Sequence, residues 1–334
     1  MKQQNCLSKL DQTNNQPFTF EPIPEKKKEP VKSLPSVETE RTHVLYKMYV
    51  SNVGNRLREM DVPSDVDCQR WAWELMQNAK DSIADLEAII KKDKVDIQLF
   101  LEEDKVIFMH NGLPFTGKAY LALLYKYSDG KANNAESTGR FGTGFLTTHS
   151  LSKIVKVDGD VFNIHDDFSN FKGSLFEMGD NIAGFEVTMY RDGSNPNELI
   201  QGIERMEDEK RYYIGEPSGW TKYTYILKTK RNHESSELGF DNFKTNIAQT
   251  MLFNTKFGIV QLKYKNGFTT TIKHLCTENF GDVNITTFQL QNENIWRRKF
   301  IISSIFEHSD ELSIRFEQNR NLRLSGCIEL NENE

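Results

Sequence analysis

The apolar residues of segment 64–91 recur at alternating spacings of three and four, the period of a helix with one buried face. Ser64 can cap this helix, and the acidic residues that follow it in the first turn suit a helix N-terminus. Two strand-like runs follow, VDIQLFL and KVIFMH, joined by the polar turn 102–104. The segment therefore combines helical and strand elements, which fits the α+β class that we expect for this chain. The predicted buried face of the helix consists of Ala72, Leu75, Ala79, Ser82, Leu86 and Ile89.

Around this helix and hairpin, the chain alternates between helical segments and strand-like runs. We expect helices at residues 38–60, 118–125, 198–210 and 241–252, and another that opens at the run TGRFGTGF. The expected strands are KIVKV, SLFEM, FEVTMY, TKYTYIL, GIVQLKY, FTTTIKH and NITTFQL. The character of the sequence changes beyond Arg231. This change predicts a first domain at 37–232 and a second α/β domain, which need not be complete, at 233–334. Residues 1–36 are rich in Gln, Asn, Lys, Glu and Pro and lack periodic apolar residues, which predicts a disordered tail.

The length of 334 residues exceeds one average domain, so two are expected. A net charge of -6 gives no electrostatic reason to expect nucleic acid as the main partner. The four cysteines are scattered, which fits a reducing compartment. No apolar run approaches the roughly 20 residues that span a bilayer. We therefore expect a soluble cytoplasmic protein without a membrane partner, although the lysine run 26–28 leaves a nuclear location open.

Three polar residues, Glu74, Asn78 and Asp81, lie on the predicted helix at spacings of four and three. At about 100° per residue they fall within roughly 60° of one another, beside the apolar face rather than opposite it. Carboxylates next to a core are unfavourable unless something pairs with them. The same pattern suits an ordinary amphipathic helix with polar flanks, so alone it leaves both interpretations open.

The glycine-rich run TGRFGTGF, residues 138–145, comes directly before a predicted helix. Glycines at this spacing expose backbone N–H groups, and a helix N-terminus favours an anion, so the run is typical of a phosphate-binding loop. It is not a P-loop, because no Gly-Lys-Ser/Thr follows, and it lacks the spacing of the dinucleotide fingerprint. Two other segments, HNGLPF and WTKYTYIL, are typical of a plain turn and a plain strand when each is taken alone.

Taken in order, ELMQNAKD, HNGLPF, TGRFGTGF and WTKYTYIL resemble the ATP-binding module of gyrase, the ninety-kilodalton heat-shock chaperones, histidine kinases and MutL, the GHKL superfamily. The resemblance covers residues 38–228 and is closest to the heat-shock-chaperone, MORC and sacsin-like hydrolytic branches. It implies a Bergerat-type α/β sandwich, in which helices cover one face of a mixed, mostly antiparallel sheet, followed by a partial second α/β domain. It also implies ATP and Mg²⁺ as cofactors.

The resemblance assigns roles to the residues of these motifs. Glu74 would activate water as a general base, Asn78 would coordinate magnesium, and Asp81 would lie near the adenine or ribose. Thr221 would support the adenine contact, and Lys131, in an expected lid at residues 128–138, is a candidate phosphate contact. The run that would wrap the phosphates consists of Gly139, Arg140, Phe141, Gly142, Thr143, Gly144 and Phe145.

The second motif departs from the family pattern. Aligned on Gly112, the family's adenine-reading aspartate is replaced by His110, and the second glycine of the motif is replaced by Pro114. Neutral His110 could accept a hydrogen bond from the adenine amino group, Asn111 could take over, or Asp81 with water could suffice. Neither replacement affects the phosphate end of the expected site.

These features predict Mg-ATP binding and slow hydrolysis, which would drive lid closure and an ATP-dependent homodimer that acts on an unknown protein client. Lys263, Lys265 and Lys273 are candidates for a basic residue that reaches the γ-phosphate. The alternative is a nucleotide-binding regulatory module with little turnover. A protein kinase is a weaker alternative, because Glu74 stands where histidine kinases carry asparagine or histidine, and only a tail and one helix precede it.

Overall fold

The computed structural model describes residues 46, 49–50, 53–83, 92–125, 144–161, 182–280, 283–291, 295–305 and 324–330. Within these residues the protein has an α+β fold, in which helices accompany a mixed sheet of eleven strands. The predicted α+β class is therefore confirmed. Among the described helices, none combines the length and the apolar character that crossing a membrane requires.

Helix α1 (residues 53–59) leads through a short turn into α2 (Asp65–Ser82). Ser64 caps α2 as predicted, because its hydroxyl accepts a hydrogen bond from the Asp67 N–H. The Asp67 carboxylate accepts from the Ser64 N–H in return, which completes a reciprocal capping box. Two otherwise unpaired backbone donors are satisfied locally, so the start of α2 is fixed by the sequence at that point.

The buried face of α2 follows the predicted pattern over its described length. Ala72, Leu75 and Ala79 are fully buried, whereas Ser82 is half-buried at the end of the helix. Residues 84–91, into which the predicted helix extends with Leu86 and Ile89, lie outside the described residues. The core forms where this face meets the centre of the sheet, because α2 contacts the first strand directly.

The other helices are mostly where the sequence places them. They are α3 (Gly117–Tyr125), α4 (Gly144–Thr147), a 3-10 turn (Thr148–Ser150), α5 (Pro196–Glu209) and α6 (Lys230–Phe253). The predicted helices at 118–125 and 198–210 are confirmed by α3 and α5. The glycine-rich run does open a helix, but α4 is only four residues long and begins at the last of the glycines.

Helix α6 begins eleven residues before the predicted start at residue 241. Thr229 caps it by accepting from the Asn232 N–H, and Asn232 completes a capping box. The first half of the helix shows no apolar period because its buried residues are small: Ser235, Ser236 and Gly239 are all buried. They allow α6 to approach α2 closely, and the Trp71 indole N–H donates to the Ser235 carbonyl. Close helix packing, not hydrophobic patterning, therefore defines this half of α6.

The eleven strands form one sheet with the spatial order β11-β10-β9-β8-β7-β1-β2-β6-β3-β4-β5. They are β1 (Val95–Leu101), β2 (Lys105–His110), β3 (Ile154–Asp160), β4 (Ile182–Tyr190), β5 (Arg211–Ile214), β6 (Thr221–Ile226), β7 (Phe257–Lys263), β8 (Thr269–Phe280), β9 (Val283–Gln291), β10 (Ile295–Ile305) and β11 (Leu324–Leu330). Every ladder is antiparallel except that between β1 and β7, which is parallel. The sheet is therefore mixed and mostly antiparallel.

Six of the seven later strand predictions are confirmed, and the seventh, SLFEM, lies outside the described residues. The sequence analysis missed β5, a four-residue edge strand that pairs with β4, and it also missed β10 and β11, which extend the other side of the sheet. The predicted domain boundary, between residues 232 and 233, falls inside α6. Strand β7, from the predicted second domain, joins the sheet beside β1, from the predicted first domain. The division into two domains stays a prediction.

Replacing Gly239 with alanine should lower the free energy of unfolding by about 1–3 kcal/mol. A Cβ atom there would lie less than 3.0 Å from the Trp71 indole and from the Cys68 carbonyl oxygen, and neither group can move freely in the core. This overlap outweighs the gain of about 1 kcal/mol that alanine brings to a helix interior. Urea unfolding measures the change. The exposed Thr245→Ala on the same helix is the control, and equal stabilities for both variants would contradict the packing argument.

Candidate functional site

Glu74 lies on α2, and its side chain is 14% exposed. Its Oε1 accepts a hydrogen bond from the Arg70 guanidinium, one helical turn earlier, at 2.8 Å. Its Oε2 lies against Gly144, since a Cβ atom on that glycine would be less than 3.0 Å from this oxygen. The first and third sequence motifs are therefore in contact, although seventy residues of chain separate them.

The other end of α2 contacts the second motif. A Cβ atom on Gly112 would lie less than 3.0 Å from both Ser82 Oγ and His110 Nδ1, so the turn after β2 fits tightly against the end of α2. Asn78 and Asp81, both half-buried, lie on α2 between these two glycine contacts. At 1.5 Å per residue, the ridge from Glu74 to Ser82 is about 12 Å long.

His110 ends β2, is only 3% exposed, and pairs with Thr221 of β6 across the ladder. Its Nδ1 accepts a hydrogen bond from the Gly112 N–H at 3.1 Å. Burial, with a smaller contribution from the positive charge of Lys92, lowers the pKa of His110 to about 3. The ring is therefore neutral near pH 7, and because Nδ1 is the acceptor, Nε2 carries the proton. His110 offers a hydrogen-bond donor at Nε2.

Asn111 is held by a different network. Its side-chain Oδ1 accepts from the Asp96 N–H at 2.7 Å, and its Nδ2 donates to the Asp96 carboxylate at 2.9 Å. The same carboxylate accepts from the Ile259 N–H of β7 at 2.7 Å, and the Lys92 ammonium donates to the Asn111 carbonyl. The Asn111 side chain therefore ties the end of β2 to β1 and β7, and its amide is already engaged there.

Tyr223 joins the second, third and fourth motifs. Its ring centroid lies 6.1 Å from that of His110, nearly parallel to it, and 5.9 Å from that of Phe145, which follows Gly144. Thr221, two residues before Tyr223 on the same strand, is buried. Residues of all four motifs thus meet on the face of the sheet that α2 and α4 cover.

Several predicted site residues cannot be placed. Those that lie outside the described residues are Lys131, Gly139, Arg140, Phe141, Gly142 and Thr143. Of the three candidate lysines, Lys265 forms an ion pair with Glu237, Lys263 is exposed, and Lys273 is half-buried. Within the part of the chain that the structure describes, no cluster of three or more His, Cys, Asp or Glu side chains could hold a metal ion.

Three neighbours of the site were not identified from the sequence: Arg70, Ser82 and Tyr223. Arg70 and Glu74 are spaced as an i, i+4 ion pair, which is a signal that the sequence does contain. Tyr223 could have been found from strand alternation, because residues two apart share a face. Ser82 was predicted as a core position, and nothing in the sequence indicates its close approach to Gly112.

Comparison with known proteins adds no family assignment: no protein-family model matches the chain, and no curated protein is significantly similar to it.

The buried, neutral His110 should make the fold sensitive to acid. A histidine in an unfolded chain titrates near pH 6.5, whereas the pKa of folded His110 is about 3. Between these values only the unfolded chain binds the proton, so the free energy of unfolding falls as the pH falls. His110 alone should remove about 2 kcal/mol between pH 7.5 and pH 5.

The substitution His110→Asn isolates this effect, since Asn Oδ1 can still accept from the Gly112 N–H but does not titrate. Urea unfolding of both proteins at pH 7.5 and pH 5 measures it. The variant should lose about 2 kcal/mol less than the wild type over this range. Equal losses would show that His110 is not held neutral in the folded protein.

Proposed function

We propose that this chain binds Mg-ATP along the α2 ridge and hydrolyses it slowly, with Glu74 as the general base, within a Bergerat-type module of the GHKL superfamily. The observation that carries the proposal is the contact between the Glu74 carboxylate and Gly144. Water activation at a γ-phosphate requires a carboxylate close to the groups that bind the phosphates. Glu74 lies directly beside a glycine-rich run of the phosphate-binding type. The mixed sheet with covering helices is consistent with such a module.

The two oxygens of Glu74 have different neighbours, which suggests a division of roles. Oε1 is engaged by Arg70, so the proton taken from the attacking water passes to Oε2, the oxygen that faces Gly144. A base must lie within hydrogen-bond reach of the proton that it accepts. The backbone N–H groups of the glycine-rich run would stabilise the phosphate oxygens as charge develops.

Asn78 is one turn from Glu74 on the same ridge and is half-buried. In the proposed site its side-chain amide oxygen would be a metal ligand. Mg²⁺ accepts few protein ligands and completes its octahedron with phosphate oxygens and water, so a single amide beside a triphosphate fits it. When bound, the ion would neutralise part of the phosphate charge. Asn78 would thereby hold the triphosphate close to Glu74.

The adenine would lie at the other end of the ridge from Glu74, toward Asp81, His110 and Thr221. His110 Nδ1 already accepts from the Gly112 N–H, so the adenine amino group would have no acceptor there. The side-chain amide of Asn111 is engaged by Asp96. Both of these acceptors therefore already have protein partners, and Asp81 with water stays the third possibility for reading the amino group. His110 Nε2–H can donate to a ring nitrogen of adenine.

Mg-ATP titration into the full chain by calorimetry tests the proposal. Wild type should bind ATP more tightly with Mg²⁺ than with EDTA, and Asn78→Ala should lose that difference, weakening Mg-ATP binding by about tenfold or more. Asn55→Ala, an exposed asparagine on α1, is the control. Wild type that fails to bind ATP under either condition would refute the proposal.

The Arg70–Glu74 ion pair specifically favours the second candidate, a nucleotide-binding regulatory module with little turnover. Because the Arg70 guanidinium engages Oε1, only one carboxylate oxygen is left to accept a proton from water. Tight ATP binding without phosphate release would support this candidate.

A protein kinase would instead transfer label from γ-labelled ATP to a protein residue. Nucleotide-driven lid closure and homodimerisation on a protein client belong to the leading proposal, and light scattering with and without Mg-ATP tests the dimer.

A further inference from the structure

Arg191, the residue after β4, has a fully buried side chain, 2% exposed. Its Nε donates to the Tyr49 hydroxyl at 2.9 Å, and one terminal nitrogen donates to His149 Nε2 at 3.2 Å. The other terminal nitrogen donates to the carbonyl oxygens of Leu123 and Leu124, at 2.9 and 3.2 Å. None of these four hydrogen-bond partners is an anion.

Among the residues that the structure describes, only neutral groups bind this buried guanidinium, which is unusual because taking a charge out of water is unfavourable without compensation. Here the compensation is the partial negative charge at the C-terminal end of α3, where Leu123 and Leu124 lie, and the rings of Tyr49 and Phe145. A neutral residue of similar volume would fill the space with less desolvation. Instead, the planar guanidinium holds Tyr49, His149 and the end of α3 in fixed positions around it.

The guanidinium is connected to the candidate catalytic site through α4. His149 Nε2 accepts from Arg191, so the proton of the neutral ring is on Nδ1, which donates to the Phe145 carbonyl at 3.3 Å. Burial, followed by the charge of Arg191, holds the pKa of His149 well below its ordinary value, which keeps this tautomer neutral. The Phe145 ring centroid also lies 5.8 Å from the guanidinium carbon.

We propose that Arg191 is a positioning residue for the Glu74 base, acting through His149 and Phe145 to hold Gly144 against Glu74 Oε2. The inference rests on the proposed function, in which Glu74 accepts the proton from water. Arg191 bonds to His149 in the turn that follows α4, and Glu74 contacts Gly144, the first residue of α4. If the Arg191–His149 and His149–Phe145 hydrogen bonds are lost, α4 is no longer held in place, and Gly144 no longer directs the Glu74 carboxylate.

Removing Arg191 itself would break four hydrogen bonds at once, so smaller changes give the sharper test. His149→Leu removes the acceptor that links Arg191 to α4, whereas His149→Gln keeps an acceptor oxygen close to the Nε2 position. Tyr49→Phe is the matched control, because it also removes one acceptor of Arg191 but leaves the His149–Phe145 hydrogen bond in place. Phosphate release from Mg-ATP gives kcat and KM for each variant, and urea unfolding gives its stability.

We expect His149→Leu to lower kcat by roughly tenfold or more, with a smaller change in KM. His149→Gln should recover most of kcat, and Tyr49→Phe should stay within about threefold of wild type although it is comparably destabilised. In a Glu74→Gln background, His149→Leu should change the residual rate by less than about twofold, since the two act as one unit. If His149 merely supported the fold, His149→Leu would lower the rate by the same factor in the wild type and in the Glu74→Gln background.

Two outcomes would overturn the inference in distinguishable ways. If Glu74→Gln lowers kcat but His149→Leu does not, or if Tyr49→Phe lowers kcat as much as His149→Leu does, then Arg191 does not position the base and the proposed function stands. If Glu74→Gln itself leaves kcat unchanged, the proposed function is refuted and this inference fails with it.

Discussion

Glu74→Gln should lower the steady rate of phosphate release from Mg-ATP by about 10²- to 10⁴-fold, the range that general-base catalysis contributes. Glutamine keeps the shape of the side chain and can still accept from Arg70, but its amide cannot take a proton from water. ATP binding should change only a few-fold, because the expected phosphate contacts come from the glycine-rich run and not from Glu74. Single-turnover hydrolysis of labelled ATP, with binding measured in parallel, separates the two effects.

Glu103→Gln is the matched control, an exposed carboxylate in the turn between β1 and β2 that should leave both quantities unchanged. Equal rates of phosphate release for wild type and Glu74→Gln would exclude Glu74 as the base. Loss of ATP binding together with hydrolysis in Glu74→Gln would indicate that the carboxylate contributes to binding or to the fold instead.

The local parts of this fold could be predicted from the sequence because their determinants are local. The hairpin of β1 and β2 is confirmed at every predicted residue, since two apolar, strand-forming runs on either side of a polar turn need no distant partner. The start of α2 is confirmed for the same reason, because Ser64 and Asp67 satisfy each other's backbone groups within one turn.

Elements that depend on distant partners were not predicted. The first half of α6 has a polar sequence with no helical apolar period, and it is buried only because Gly239 allows close contact with Trp71. The edge strand β5 is too short to show alternation and exists as an addition to β4. The parallel pairing of β1 with β7 joins segments more than 150 residues apart, which no local pattern encodes.

The candidate site likewise combines residues that the sequence identifies with contacts that it does not predict. The motifs identified Glu74, His110 and Gly144 from residue type and order, but they did not reveal the contact of Oε2 with Gly144 or the bond that occupies His110 Nδ1. These contacts arise from the packing of α2 against α4 and against the turn after β2. They restrict the chemistry that each residue can perform, although the roles of Glu74, Asn78 and Asp81 remain predictions.

Gly144→Ala should lower kcat for ATP hydrolysis by about 10- to 100-fold while leaving the fold intact. The added Cβ would fall less than 3.0 Å from Glu74 Oε2, and its nearest other neighbour is the carboxyl carbon of the same group. That carboxylate is the far end of a flexible side chain, so it can move away, and the free energy of unfolding should change by less than about 1 kcal/mol. A displacement of about 1 Å in a catalytic group can lower the rate by about 10².

The control is Gly54→Ala on α1, where the new Cβ would make an ordinary 3.4 Å contact with Leu199 Cδ1. It should leave kcat unchanged and, as a glycine replaced within a helix, should not destabilise the protein. Measured together with Glu74→Gln, the two glycine variants separate the effect of where the Glu74 carboxylate lies from the effect of its ability to accept a proton. A large loss of rate in Glu74→Gln with none in Gly144→Ala would mean that Glu74 acts without being directed by Gly144. Loss in Gly144→Ala alone would mean that the backbone of the glycine-rich run contributes to catalysis and that Glu74 does not.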